Sequence, residues 1–167
     1  MRDTLGRQIE EVFGTDLVVP TTPFPRMTFA EADARFGSDK PDTRFGLELE
    51  DATAATRGSE FGVFAGAEAV RFLRVPQELS RGDLAKLEEL AKEWGAKGLA
   101  YLVTDEAGEV RSPIAKFLSE DELALFRSDP GSTVLFAADT WATTSRVLGA
   151  LRSHLGRELG LIDEEAF

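Results

Sequence analysis

From residue 61 onward the chain alternates short apolar runs with longer stretches whose apolar residues recur at helical spacing, and this alternation fixes the fold class. Phe61 to Phe64 and Val70 to Val75 read as two strands joined by a turn containing Gly66. Ser80 and Asp83 then sit where helix caps belong, ahead of Leu84, Leu87, Leu90 and Trp94, with Gly95 as a stop. Leu99 to Val103 reads as a buried strand that turns back at Asp105–Gly108 into a second strand, Val110 to Phe117. Ser119 and Glu122 have capping-box spacing and open a helix of about two turns. Asp129-Pro130-Gly131 is a turn, and Val134 to Ala138 is a strand. A last helix carries Val147, Leu148, Leu151, Leu155 and Leu159 on one face. Paired strands with intervening helices predict an α+β fold: a two-layer sandwich, an antiparallel sheet with helices on one face.

The first third of the chain follows a different pattern. Leu5, Ile9, Val12 and Phe13 fall on one helical face ahead of Gly14, and three prolines between Leu17 and Pro25 force an extended connector. Thr28 and Glu31 are spaced to cap a short helix over Phe29 to Arg35. A polar loop, Gly37 to Asp42, leads into an extended segment from Phe45 to Leu49. The expected organisation is a helical and extended appendage over residues 1–50, a small polar linker over 51–58, the compact domain over 59–160, and an exit over 161–167.

Composition removes whole classes of chemistry. With no cysteine there is no disulfide, thiolate site or thiol nucleophile, and one histidine, His154, cannot form a multi-histidine centre. The residues before Phe13 do not form a charged head and apolar run, and no stretch approaches a membrane span, so a cytoplasmic protein with no membrane partner is expected. The net charge of −11 and the lack of a Lys/Arg stripe argue against generic nucleic-acid binding. No phosphate loop, dinucleotide fingerprint or nucleophile elbow occurs, and no nucleophile–base pair supports a hydrolase. Two segments remain as candidates. Ser38, Asp39, Lys40 and Asp42, followed by Arg44, present one ammonium between two carboxylates; the residues alone favour a salt-bridged turn that ends the preceding helix. Lys97 and Lys116 sit at the start and end of expected strands, where a lysine more often protects a sheet edge than meets a phosphate.

The stretch from Pro23-Phe-Pro-Arg-Met-Thr-Phe29 into Gly37-Ser-Asp-Lys-Pro-Asp42 resembles bacterial-type aspartyl-tRNA synthetases. Gly95-Ala-Lys-Gly-Leu-Ala100, Ala115-Lys-Phe-Leu118, Leu148-Gly-Ala-Leu-Arg152 and Glu158-Leu-Gly-Leu-Ile162 resemble that family's insertion domain, which is shared with the B subunit of the tRNA-dependent amidotransferase. The resemblance runs from about Leu5 to Ile162 and implies a split β-α-β type of fold. For a parent enzyme it implies a class II aspartate–tRNA ligase using ATP and Mg²⁺, with tRNA as partner and a homodimeric body. Phe29 and Phe36 stand where the family has tyrosines, Thr43 where it has leucine, and Ser132 where it has an acid. The three class II signature motifs, the aspartate-binding Gln-Ser-Pro-Gln and the anticodon-binding barrel do not occur in the chain. The expectation is therefore a fragment, the insertion domain with a flanking strip of catalytic core. It would have no catalytic residue or metal ligand of its own and only weak contact with tRNA. Ser38, Asp39, Lys40, Asp42, Arg44, Lys97 and Lys116 are its tRNA-proximal candidates. The alternative is a free-standing paralogue that binds tRNA or a protein, in which the apolar face of Leu5, Ile9, Val12 and Phe13 would favour oligomers.

Overall fold

The structure is a computed structural model and describes residues 26–163. The expected first helix and proline connector lie outside the described residues. Within them run α1 (Phe29–Phe36), β1 (Leu49–Asp51), α2 (Gly62–Ala65), β2 (Ala69–Val75), α3 (Arg81–Glu93), β3 (Ala100–Thr104) and β4 (Val110–Arg111). A 3₁₀ turn (Ala115–Phe117), α4 (Glu120–Leu125), β5 (Ser132–Asp139) and α5 (Trp141–Glu158) complete the order.

The sheet is antiparallel throughout, in the order β1-β2-β5-β3-β4, and the fold is α+β as expected. Its central pair, β2 and β5, matches Ala69 with Asp139 through to Val75 with Thr133. Side-chain alternation gives both faces of this pair a core. Leu73, Val75, Leu135, Ala137 and Val103 meet Leu84, Leu87 and Ala91 of α3 and Val147, Leu148, Leu151 and Leu155 of α5. On the other face Val70, Phe72, Val134, Phe136 and Leu102 meet Phe64 of α2 and Phe126 and Leu118 around α4. The long helices thus share one face, while short elements close the other. Burial on both sides explains why the central strands read as continuous apolar runs.

The caps behave as their spacing predicts. Ser80 and Asp83 exchange side-chain-to-backbone hydrogen bonds at the start of α3, as do Ser119 and Glu122 at the start of α4. Thr28 accepts from the Glu31 N–H, and Gly37 ends α1 in the left-handed region at φ 64°.

Two expected strands are corrected. Phe61 to Phe64 is not a strand: α2 forms there, with Phe64 buried, Val63 56% exposed, and the Phe61 and Phe64 rings edge to face at 4.9 Å. The useful spacing is i, i+3, which a four-residue apolar run cannot distinguish from alternation. The expected strand from Val110 to Phe117 ends at Arg111. Pro113 has no N–H to donate, and Ser112 closes a local turn by donating to the Tyr101 carbonyl and accepting from the Ile114 N–H. The edge place beside β2 is taken instead by β1, which pairs Leu49 with Leu73 and Asp51 with Arg71. Residues 51–58, expected as a linker, are tied down at two points: the Ala52 N–H donates to the Val70 carbonyl at 2.9 Å, and Ala52 and Thr56 are buried, while Asp51, Ala54, Ala55, Arg57 and Gly58 are exposed.

Candidate functional site

The loop of the first motif is held from behind by one buried cation. Arg152 lies on the inner face of α5, 1% exposed, and its guanidinium reaches four carbonyl oxygens of the loop. Its Nε donates to Leu47 at 2.9 Å, and its Nη2 faces Asp42, Phe45 and Gly46 at 2.9, 3.0 and 2.9 Å. The guanidinium also packs over the rings of Phe36 and Phe45, with centroids 4.7 and 4.0 Å from Cζ. Burial pushes the guanidinium's pKa down, against the pull of Asp42 and Glu48. Leu47 itself sits at φ 63°, a left-handed conformation that costs about 1–3 kcal/mol for a non-glycine residue. Its carbonyl is one of the four that Arg152 binds.

A second buried cation holds α1. Arg71 of β2 is fully buried and donates to Ser145 Oγ at 2.6 Å and to the carbonyls of Asp33 and Ala34. Its guanidinium stacks on Trp141 at 4.3 Å, while Trp141 Nε1 and Ser145 Oγ both donate to the Asp33 carboxylate, at 2.6 and 3.2 Å. Burial lowers the pKa of Arg71, with Asp33 and Asp51 opposing. The two arginines and α5 fasten residues 33–47 onto the sheet domain. Neither was singled out from the sequence, though both left a signal. Arg71 shares the inward register of Leu73 and Val75, and Arg152 falls at i+4 from Leu148 and i−3 from Leu155.

The loop surface consists of the residues expected to be there. The Lys40 N–H donates to Ser38 Oγ at 3.1 Å. Asp42 Oδ1 accepts from the N–H and Nε of Arg44 at 3.1 and 3.0 Å, and Oδ2 accepts from Nη2 at 2.8 Å. The ion pair of the turn is thus Asp42–Arg44, which differs from the expected arrangement of the Lys40 ammonium between Asp39 and Asp42. Ser38 and Asp39 line a groove bounded by α1, α3 and α5, together with Phe29, Trp94, Arg146 and His154. Lys97 lies elsewhere, at the end of the sheet, paired with Asp139 at 2.9 Å. Lys116 lies over the Phe117 ring at 4.8 Å. The five loop candidates thus lie together, and Lys97 and Lys116 lie away from them.

The Arg44 hydrogen bonds, ahead of its backbone N–H and the charges of Arg44 and Arg152, hold the Asp42 carboxyl down at about 2, against 3.8 ordinarily. A carboxyl depressed on folding stabilises fully above 3.8, and the contribution is lost as pH falls through about 2. Asp42→Asn is therefore expected to be less stable than wild type at pH 6, with the gap closing below pH 4. Urea unfolding across pH 2–7 reads this out, and a gap independent of pH would refute it. The pair is partly solvated, so the effect is expected to be modest.

Comparison with known proteins places these features in a family. Residues 63–148 match the model of the GAD domain. An aspartate–tRNA(Asp/Asn) ligase of Bacillus cytotoxicus is 42% identical over 178 aligned residues, covering 100% of this chain and 30% of that protein. An aspartate–tRNA ligase of Agathobacter rectalis is 47% identical over 173 residues, covering 98% of this chain and 28% of that protein. The chain thus spans less than a third of the length of these relatives. A hypothetical protein of Pyrococcus horikoshii superposes with a TM-score of 0.40 at 21% identity, over 54% of this chain and 51% of its own.

Proposed function

The chain belongs to the GAD domain family, and on that premise we propose that it is the insertion module of a bacterial-type aspartate–tRNA ligase with a strip of that enzyme's catalytic core. The observation that carries this is the similarity along nearly the whole chain to a minor part of each relative. On this reading residues 1–50 belong to the core and 59–160 to the insertion, with 161–167 returning toward the core. Segment 51–58 joins them. The parent is cytoplasmic and homodimeric, uses ATP and Mg²⁺, and transfers aspartate to tRNA.

The module's own part is mechanical. Among the described residues no group of three or more His, Cys, Asp or Glu side chains is placed to hold a metal ion, and the class II signatures are missing from the sequence. On this reading ATP and Mg²⁺ are held by other parts of the parent. What these residues do is fix one surface. Arg152 and Arg71 tie the loop carbonyls and α1 to α5 and β2, so Ser38, Asp39, Lys40, Asp42 and Arg44 are presented on a rigid base. In the parent that base faces the tRNA acceptor side. The overall acidity makes any contact of the isolated chain with RNA weak and local.

An immunoblot of source-cell lysate, with antibody raised against residues 60–155, tests the reading. A band several times heavier than 18.2 kDa is expected. A band at 18.2 kDa would overturn it in favour of a free-standing binding module.

A further inference from the structure

At one end of the sheet, where β2 and β3 begin and β5 passes into α5, the described residues line an open cavity of about 730 Å³. That volume lies within the range of specific binding pockets. Its walls are apolar, with Phe61, Phe64 and Ile114 among them, and small residues such as Ala67, Gly98 and Ala138 keep it open. The apolar surface continues outside it. Val63 on the rim is 56% exposed, and Phe117, stacked on Phe61 at 5.9 Å, is 39% exposed. Apolar surface that runs from a pocket onto the face around it suits a protein segment better than an enclosed small molecule.

The rim selects by charge. Glu68, Glu88 and Asp139 line the cavity; Lys97 pairs with Asp139 and Lys92 with Glu88, while Lys116 lies over Phe117 on the adjoining face, away from Glu68. The positive end of α5 opens here too, but Glu68 already accepts from the Trp141 N–H at 3.2 Å and Asp139 from the Thr140 N–H at 2.8 Å. An anionic partner would have to displace these carboxylates. A lysine or arginine would meet them, and Lys97 can swing away because its side chain is 89% exposed. We propose that this cavity docks an amphipathic segment of another protein, one that places a bulky apolar side chain against Phe61 and Phe64 and a neighbouring Lys or Arg against Glu68 and Asp139.

The test uses the whole chain and a fluorescent 14-residue helix of leucine and lysine, with a leucine–glutamate helix of the same pattern as control. Anisotropy is read at physiological salt, where diffuse attraction to an acidic surface is screened. Val63→Lys puts a cation at the mouth of the cavity. Val110→Lys makes the same change at β4, toward the opposite end of the sheet, where the side chain is 46% exposed. Both sites are exposed, so both variants are expected to keep the wild-type circular dichroism. The expected result is binding of the lysine helix to wild type and Val110→Lys, at least tenfold weaker binding to Val63→Lys, and at least tenfold weaker binding of the glutamate helix. Backbone amide shifts on titration are expected at residues 62–68 and 96–100. The proposal is overturned by equal weakening in the two variants, by equal binding of the two helices, by shifts centred elsewhere, or by no binding.

Discussion

Arg152→Met is expected to destabilise the chain by about 1–3 kcal/mol, the cost of leaving a buried acceptor without its partner. Methionine fills the space beside Phe36 and Phe45 but offers no donor, and the carbonyls of Asp42, Phe45, Gly46 and Leu47 lose the group they converge on. The Phe45 carbonyl is the buried one of the four and carries that penalty, while the part-buried carbonyls of Asp42, Gly46 and Leu47 can turn to water. Replacing a buried ion pair by apolar residues is often neutral, because both charges leave at once. That route is closed here, since the acceptors are backbone and no second substitution removes them. Arg152→Lys is expected to recover only part of the loss, because an ammonium lacks the planar fork and the stacking surface. Urea unfolding measures the effect as a fall in midpoint at constant slope. A midpoint equal to that of wild type would show that water replaces the guanidinium at no cost, and that Arg152 does not anchor the loop. Arg35→Ala is the contrast. Its pairs with Glu48 and Glu31 are all on the surface, so little change is expected despite the raised pKa of Arg35.

Arg71 and Arg152 are the features that local spacing does not reveal. The antiparallel sheet, the two long helices and the capping boxes at Ser80 and Ser119 were legible because spacing alone sets them. The pieces from Phe61 to Phe64 and from Arg111 to Phe117 were not, since each run is too short for periodicity to separate strand from turn. Placing β1 at the sheet edge needed tertiary knowledge: Leu49 pairs with Leu73, and nothing local marks so short a strand. The site was half legible. The motif located the loop, but its residues pointed to Lys40 as the cation, whereas Asp42 pairs with Arg44 two positions on. Its anchors lie 27 and 108 positions beyond Arg44, at Arg71 and Arg152. Contacts over such separations leave only a trace in sequence, a cation on a face that should be apolar.

The same junction predicts an inverted response to a substitution that helices normally welcome. In an exposed helix interior, Gly→Ala stabilises by about 1 kcal/mol. Gly82, in the first turn of α3, has only Ser80 Oγ near the position of a new Cβ, at 3.6 Å, so Gly82→Ala is expected to stabilise by about 0.5 kcal/mol. Gly149 lies inside α5, where the helix crosses the end of α1. A Cβ there would stand 2.5 Å from the carbonyl oxygen of Gly37 and 3.1 Å from that of Phe36. Both obstacles are backbone, and neither can yield by a change of rotamer. Gly37 is itself committed: it sits in the left-handed region, its N–H donates to the Asp33 carbonyl, and a Cβ on it would collide with the Ser145 carbonyl. Relief requires α1 to move away from α5. That motion pulls the Asp33 and Ala34 carbonyls off Arg71 and the Asp33 carboxylate off Trp141. Overpacking of this kind costs about 1–3 kcal/mol, which outweighs the helix-propensity gain, so Gly149→Ala should lower the unfolding midpoint while Gly82→Ala raises it. If both variants gain stability, α1 is not packed against α5 at backbone distance, and the rigid base assigned to the loop goes with it.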